Sequence, residues 1–170
     1  LPRANREAKP LSSKVSFGCS KFFLTMDTYA QLFKCGFSVE RGMRKPLPDF
    51  TKAGLKPDWD WHRLLAALKP ASAMEGELRR LVFKEGFLME AGGFDARDAL
   101  SKAAFPGMAD LKKMLQRAPA ASWAGFQVFY PMPRNEVRRS SGVDLIESMM
   151  AIFGEVTPAM NLCMQVQLKA

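Results

Sequence analysis

The middle of the chain carries apolar residues at helical spacing, in short stripes that glycine, proline and charged residues separate. The stripes are Tyr29, Leu32 and Phe33; Trp61, Leu64, Leu65 and Leu68; Leu78, Leu81 and Val82; Ala96, Ala99, Leu100 and Ala103; Leu111, Met114 and Leu115. Each predicted helix is too short to be stable alone, so its apolar side must pack against a neighbour. We therefore predict a mainly α fold of antiparallel helix pairs through residues 26–117. The predicted core consists of Trp61, Leu64, Leu65, Leu78, Leu81, Val82, Leu111 and Leu115.

The pattern changes in the C-terminal third. Alternating apolar residues predict a short strand over 126–130 and a second strand over 160–168. Between them, Ser141 and Asp144 resemble a capping box that opens a helix over 141–153, with Gly154 as its end. The predicted buried stripe of that helix is Val143, Ile146, Met150 and Phe153. We expect a C-terminal strap with one helix and one or two strands.

These patterns divide the chain into three parts. Residues 1–22 are predicted to form an extended basic arm, 23–120 a helix-pair repeat domain, and 121–170 a C-terminal extension. The first 21 residues hold five cations and one acid, which fits either the remnant of an organellar presequence or an ordinary basic tail. No stretch is long and apolar enough to predict a transmembrane segment.

Composition restricts the chemistry. The 170 residues carry a net charge of +8, three widely spaced cysteines and one histidine, His62. A multi-histidine metal site is thus excluded, and neither a disulfide framework nor a zinc site is expected. The sequence contains no phosphate-binding loop and no nucleophile motif. We therefore expect no catalytic residue, no metal and no cofactor, and predict that the protein is not itself an enzyme.

Part of the helical region has an internal repeat. "TYAQLF" at Thr28 aligns with "DWHRLL" at Asp60, a looser copy starts near Ala96, and "KAGLKPD" from Lys52 precedes the second copy. This pattern resembles the pentatricopeptide repeat over about residues 26–117. The resemblance implies helix–turn–helix units, which in that family bind single-stranded RNA. The residues at the expected base-reading positions are Gln31 and Arg63, which are not the small polar residues that the family uses.

Two functions follow from this resemblance. The few degenerate repeats, the small size and the basic N-terminus together resemble the eighteen-kilodalton subunit of euglenozoan mitochondrial ATP synthases. That resemblance implies a non-catalytic subunit on the matrix side, which binds the outside of the catalytic head at an α subunit. Its partners would be protein subunits of a large mitochondrial complex. The alternatives are a pentatricopeptide-type RNA-binding protein and a mitoribosomal protein, since +8 can also neutralise phosphates.

Several aromatic and methionine residues fall outside the helical stripes. Such side chains are enriched at protein interfaces, so they are candidate partner contacts. The alternative is that they cover this protein's own core. The candidate interface residues are Phe22, Phe23, Phe126, Phe129 and Met132.

Overall fold

The computed structural model describes residues 20–41, 59–93, 97–119, 124–164 and 168. Within these ranges the chain forms five strands, five α-helices and one short 3-10 helix. The strands are β1 (Ser20–Asp27), β2 (Leu32–Glu40), β3 (Leu88–Gly93), β4 (Arg97–Leu100) and β5 (Ala124–Pro133). The α-helices are α1 (Trp59–Ala67), α2 (Ala73–Phe83), α3 (Met108–Arg117), α4 (Arg134–Arg139) and α5 (Gly142–Asn161), and the 3-10 helix is Lys102–Ala104.

The strands form one antiparallel sheet in the order β1-β2-β5-β3-β4. Two hairpins, β1–β2 and β3–β4, lie on either side of β5. In the register, Phe37 of β2 lies opposite Val128 of β5, and Val128 lies opposite Met89 of β3. The latest strand in the sequence is therefore the middle strand of the sheet.

One face of the sheet carries the hydrophobic core. Because directly opposed residues in a sheet point to the same side, Phe22, Phe37, Val128 and Met89 lie on one face. Buried residues of α1, α2, α3 and α5 join this face in a single cluster. The helices therefore cover this side of the sheet, which we call the core face.

A glycine brings β2 and β5 close together. A Cβ atom on Gly36 would lie 2.0 Å from the carbonyl oxygen of Val128 and 2.7 Å from the Cα of Phe129. Neither atom is the end of a flexible side chain, so no other residue fits at position 36 without moving β5. Gly86, between α2 and β3, has a φ of +76°, a conformation that glycine adopts without a steric penalty.

Side chains fix the helix starts and one sheet corner. The Ser72 hydroxyl accepts a hydrogen bond from the Glu75 N–H at the start of α2, and the predicted capping box of Ser141 and Asp144 opens α5. The buried Arg41 donates to the carbonyl oxygens of Ala118 and Pro119, at 3.0 and 2.6 Å. These bonds hold the end of β2 beside the end of α3.

The predicted mainly α fold is wrong, because strands occupy the positions of two of the expected helices. Leu32 and Phe33, read as helical, begin β2, while Ala99 and Leu100 belong to β4. Three apolar residues at helical spacing are too few to separate a helix from a strand that is buried on both sides. The helices over 59–67, 73–83 and 108–117 do form, and the predicted core residues are buried, except that Leu65 is half-buried.

The C-terminal predictions are confirmed in part. The strand predicted over 126–130 is β5, and the helix that begins after Ser141 is α5. Gly154 does not end that helix, which continues to Asn161, so Met160 is helical rather than the start of a strand. Residues 165–167 of that predicted strand lie outside the described residues, as do 1–19 of the predicted arm and the "KAGLKPD" segment.

Candidate protein-interaction surface

Helix α5 is apolar on two sides. Its inner side packs in the core and includes Leu145, Met149, Ile152, Val156, Ala159 and Met160. A second stripe, made of Val143, Ile146 and Met150, is exposed, with 57% of Ile146 and 63% of Met150 accessible to solvent. Successive residues are rotated by about 100° around a helix, which places this second stripe about 120° from the centre of the inner side. The N-terminal half of α5 therefore shows an apolar stripe to solvent.

Strand β1 carries exposed apolar residues on the core face. Phe22, Leu24 and Met26 alternate along the strand and point to the same side of the sheet. Phe22 is half-buried and its ring packs on Phe153 of α5, with 4.5 Å between the ring centroids. Leu24 and Met26, farther along β1, are exposed. Because β1 is the edge strand, the core face loses its cover here.

The exposed stripe of α5 is on the side of the helix that is turned towards β1. The start of β1 is near the end of α5. The Ser20 N–H donates to the Asp60 carboxylate at 2.6 Å, and the pKa of the Cys163 thiol, just beyond α5, is raised first by burial and then by the nearby charge of Asp60. The two elements therefore run in opposite directions. Around the helix, Phe153 lies between the inner side and the exposed stripe, so the stripe is displaced towards the side that packs on Phe22 of β1. We call Leu24, Met26, Val143, Ile146 and Met150 together the apolar face.

A cleft of about 530 Å³ opens at one end of the apolar face. Its apolar walls are Met26, Leu32, Phe33 and Val137, and its polar walls are Asp27, Thr28, Gln31, Arg134 and Arg138. The turn between β1 and β2 and the short helix α4 form its two sides. Met26 belongs to both the cleft and the apolar face, so the two are continuous.

Hydrogen bonds hold the turn side of the cleft in place. Asp27 accepts hydrogen bonds from the N–H groups of Tyr29 and Ala30, at 3.2 and 2.9 Å. Arg134 donates its backbone N–H to the Gln31 carbonyl oxygen at 3.0 Å and its guanidinium to the Gln31 side chain at 2.6 Å. These bonds tie α4 to the turn. Within the turn, Gln31 has a left-handed backbone conformation with a φ of +55°.

Lys34 compensates the charge of Asp27, and both side chains belong to the face of the sheet opposite the core face. Lys34 Nζ lies 2.9 Å from Asp27 and 2.6 Å from Glu90, and 4.8 Å from the centre of the Phe129 ring. The pKa of Asp27 is lowered, mainly by the hydrogen bond from the Ala30 N–H and then by Lys34. Burial lowers the pKa of Lys34, but its two carboxylate partners outweigh burial and raise that pKa overall. Asp27 and Lys34 therefore stay ionised at neutral pH and compensate one another, which leaves Arg134 and Arg138 to dominate the charge of the cleft.

The five residues that the sequence predicted as partner contacts do not form one exposed surface. Phe126, Phe129 and Met132 are buried inside this chain and offer no surface to a partner. Phe22 and Phe23 are half-buried, with Phe22 on Phe153 and Phe23 edge-on to Phe129. Phe126 and Met132 belong to the protein's own core, as the alternative expectation has it, whereas Phe129 is buried on the opposite face of the sheet beside Phe23 and Lys34.

The sequence missed the apolar face because it assigned three of the five residues to the core. Val143, Ile146 and Met150 were predicted as the buried stripe of their helix, yet they are exposed. A signal was present, since α5 also has apolar residues at Leu145, Met149 and Ile152. Two stripes on one helix are more than a single packed side needs.

The other candidate residues are separated from one another. Gln31 lies in the β1–β2 turn, whereas Arg63 and His62 are exposed on α1. Cys35 and Cys163 are buried thiols on β2 and just beyond α5, and burial raises the pKa of Cys35 to about 11. Within the described ranges, no three His, Cys, Asp or Glu side chains are grouped as metal ligands.

No helix in the described part of the chain has the length and apolar character to cross a membrane. Comparison of the chain with protein-family models, with curated proteins and with solved structures finds no match.

Proposed function

We propose that the protein is a non-catalytic subunit that binds another protein through its apolar face. One observation carries the proposal. Of the seven large hydrophobic side chains that are exposed in the described residues, five lie on the apolar face. Contiguous exposed apolar surface is typical of sites where a soluble protein is covered by a partner.

The charge of the chain favours an acidic partner over a second copy. At +8, two copies of the chain would repel one another, whereas an acidic protein would be attracted. Arg134 and Arg138 adjoin the apolar face through the cleft, so the local charge has the same sign as the net charge. An apolar patch beside basic residues fits a partner that is apolar in the centre and acidic at the border.

The more specific form of the proposal is a subunit of a mitochondrial complex on the matrix side, with an ATP synthase as the first candidate. Membership of that complex stays a prediction. The assignment depends in part on helix-pair repeats, and strands in place of two of the expected helices remove this part of its support. The apolar face supports the general role of a binding subunit without reference to the repeats.

Native gel electrophoresis of the tagged full-length chain tests the proposal in the cells from which it comes. After nuclease treatment at low salt, the wild type should migrate in a complex much larger than its own 19.0 kDa. Ile146→Glu places a charge on the apolar face and should release the chain from the complex. Glu147→Gln, a change at the next exposed position of α5, is the matched control and should leave the complex intact.

Each other outcome contradicts part of the proposal. A wild-type chain that migrates alone, or a complex that Ile146→Glu leaves unchanged, overturns it. Loss of the complex on nuclease treatment favours the RNA-binding alternative. Sedimentation of the pure chain as a dimer means that a second copy covers the face. A complex without ATP synthase catalytic subunits removes only the more specific assignment.

A further inference from the structure

We infer that the cleft is a recognition site for a carboxylate group carried next to an apolar group, supplied by an acidic side chain of the bound partner. This inference rests on the proposed function, and it adds the chemistry of the partner segment. The cleft joins the apolar face at Met26, so a segment that lies along α5 and β1 reaches it.

The walls of the cleft supply both halves of this chemistry. Met26, Leu32, Phe33 and Val137 provide an apolar floor of the kind that buries an aliphatic side chain. Arg134 and Arg138 stand one helical turn apart on α4 and present guanidinium groups, which match the planar geometry of a carboxylate. The apolar group of the ligand would pack on this floor, and its carboxylate would accept hydrogen bonds from the arginine side chains.

The two arginine side chains of the cleft differ in their hydrogen bonding. Arg134 is anchored by Gln31, which fixes the direction of its guanidinium group. The Arg138 side chain has no hydrogen-bond or ion-pair partner among the residues that the structure describes. The one carboxylate in the cleft wall, Asp27, is held by Lys34 at 2.9 Å and by two backbone N–H groups. A guanidinium group is therefore available for an incoming acid.

A small probe tests the cleft without a partner. Hexanoate, titrated into the 15N-labelled full-length chain, should shift the amide resonances of Gln31 and Arg138 in a saturable way at millimolar concentration. Hexylammonium, of the same length and opposite charge, should not. Arg138→Gln should weaken hexanoate binding about tenfold, because a charge-assisted hydrogen bond is lost. Arg117→Gln, at the last residue of α3, is the matched control and should bind like the wild type.

A pair of peptides separates a partner segment from a free small carboxylate. Acetyl-LALALEE-amide should bind more tightly than hexanoate, since its leucines also cover the apolar face, and acetyl-LALALKK-amide should not bind. Ile146→Glu should weaken the peptide and leave hexanoate unchanged. Equal affinity for hexanoate and the peptide would assign the cleft to a free carboxylate and overturn the inferred source.

The two proposals fail in different ways. Equal shifts with hexanoate and hexylammonium, or no saturable shift, overturn the carboxylate site whatever the native gels show. Hexanoate binding without a native complex overturns the proposed function and leaves the cleft as a site for an apolar carboxylate.

Discussion

The two halves of α5 have similar apolar content, but only the N-terminal half also presents large apolar side chains to solvent. In the C-terminal half, Val156, Ala159 and Met160 are buried against the protein's own core. In the N-terminal half, Val143, Ile146 and Met150 are exposed above the edge strand. The difference is the position around the helix, because the exposed residues lie about 120° from the centre of the inner side. Amphipathic spacing thus shows which side of a helix will be covered, but not which molecule covers it.

Two methionines provide the strongest test of this comparison. Met160 is 3% exposed and Met150 is 63% exposed, on one helix. Met160→Ala should lower the free energy of unfolding by about 2–5 kcal/mol, because it leaves a cavity in the core. Met150→Ala should change it by less than about 0.5 kcal/mol. Urea unfolding followed by circular dichroism measures both values, and similar losses for the two variants would show that Met150 is packed as tightly as Met160.

Removing the cap of α5 should affect mainly the exposed half. The Ser141 hydroxyl accepts a hydrogen bond from the Asp144 N–H at 3.1 Å, so Ser141→Ala should cost about 1 kcal/mol. Hydrogen exchange should accelerate at residues 142–147 and stay unchanged around Met160, since the first turn opens locally. Ser148→Ala, which removes a hydroxyl that donates to the Asp144 carbonyl oxygen, is the control. Faster exchange along the whole helix would mean that the two halves unfold together.

The smallest expected effect is at the junction of the halves. Arg80 of α2 lies 2.6 Å from the Glu155 carboxylate and donates to the Glu155 carbonyl oxygen at 2.7 Å. Both side chains are partly exposed, so a double-mutant cycle of Arg80→Gln and Glu155→Gln should give about 0.2–1 kcal/mol. The coupling should decrease as salt is added. A salt-independent coupling would contradict a solvent-screened ion pair here.

Local signals in the sequence were sufficient for some elements. The Ser141 cap, the helices with stripes at Leu64, Leu78 and Leu111, and the alternation through Val128 all specify structure within a short segment. Those elements formed where the pattern predicted them. These elements depend on interactions between residues that are close in sequence, and a sequence pattern can predict such interactions.

The sheet could not be predicted in the same way. β2 pairs with β5 across about 90 residues of chain, as the pair Phe37–Val128 shows, and no short-range pattern encodes that partnership. Gly36 is a second example, since its need for glycine appears only once the Val128 carbonyl oxygen is beside it. The cleft has the same origin, because Gln31 and Arg134 meet only when these strands pair.

The position of β5 also determines when the sheet can exist during synthesis. The hairpins β1–β2 and β3–β4 leave the ribosome before β5, and each two-stranded hairpin is marginally stable by itself. Until residue 133 has emerged, the inner edges of β2 and β3 have no partner strand between them. The nascent chain therefore holds two open edges that invite pairing with other chains, and the arrival of β5 closes both in one step. Folding should be late and cooperative, with its rate set by the closure of this long loop.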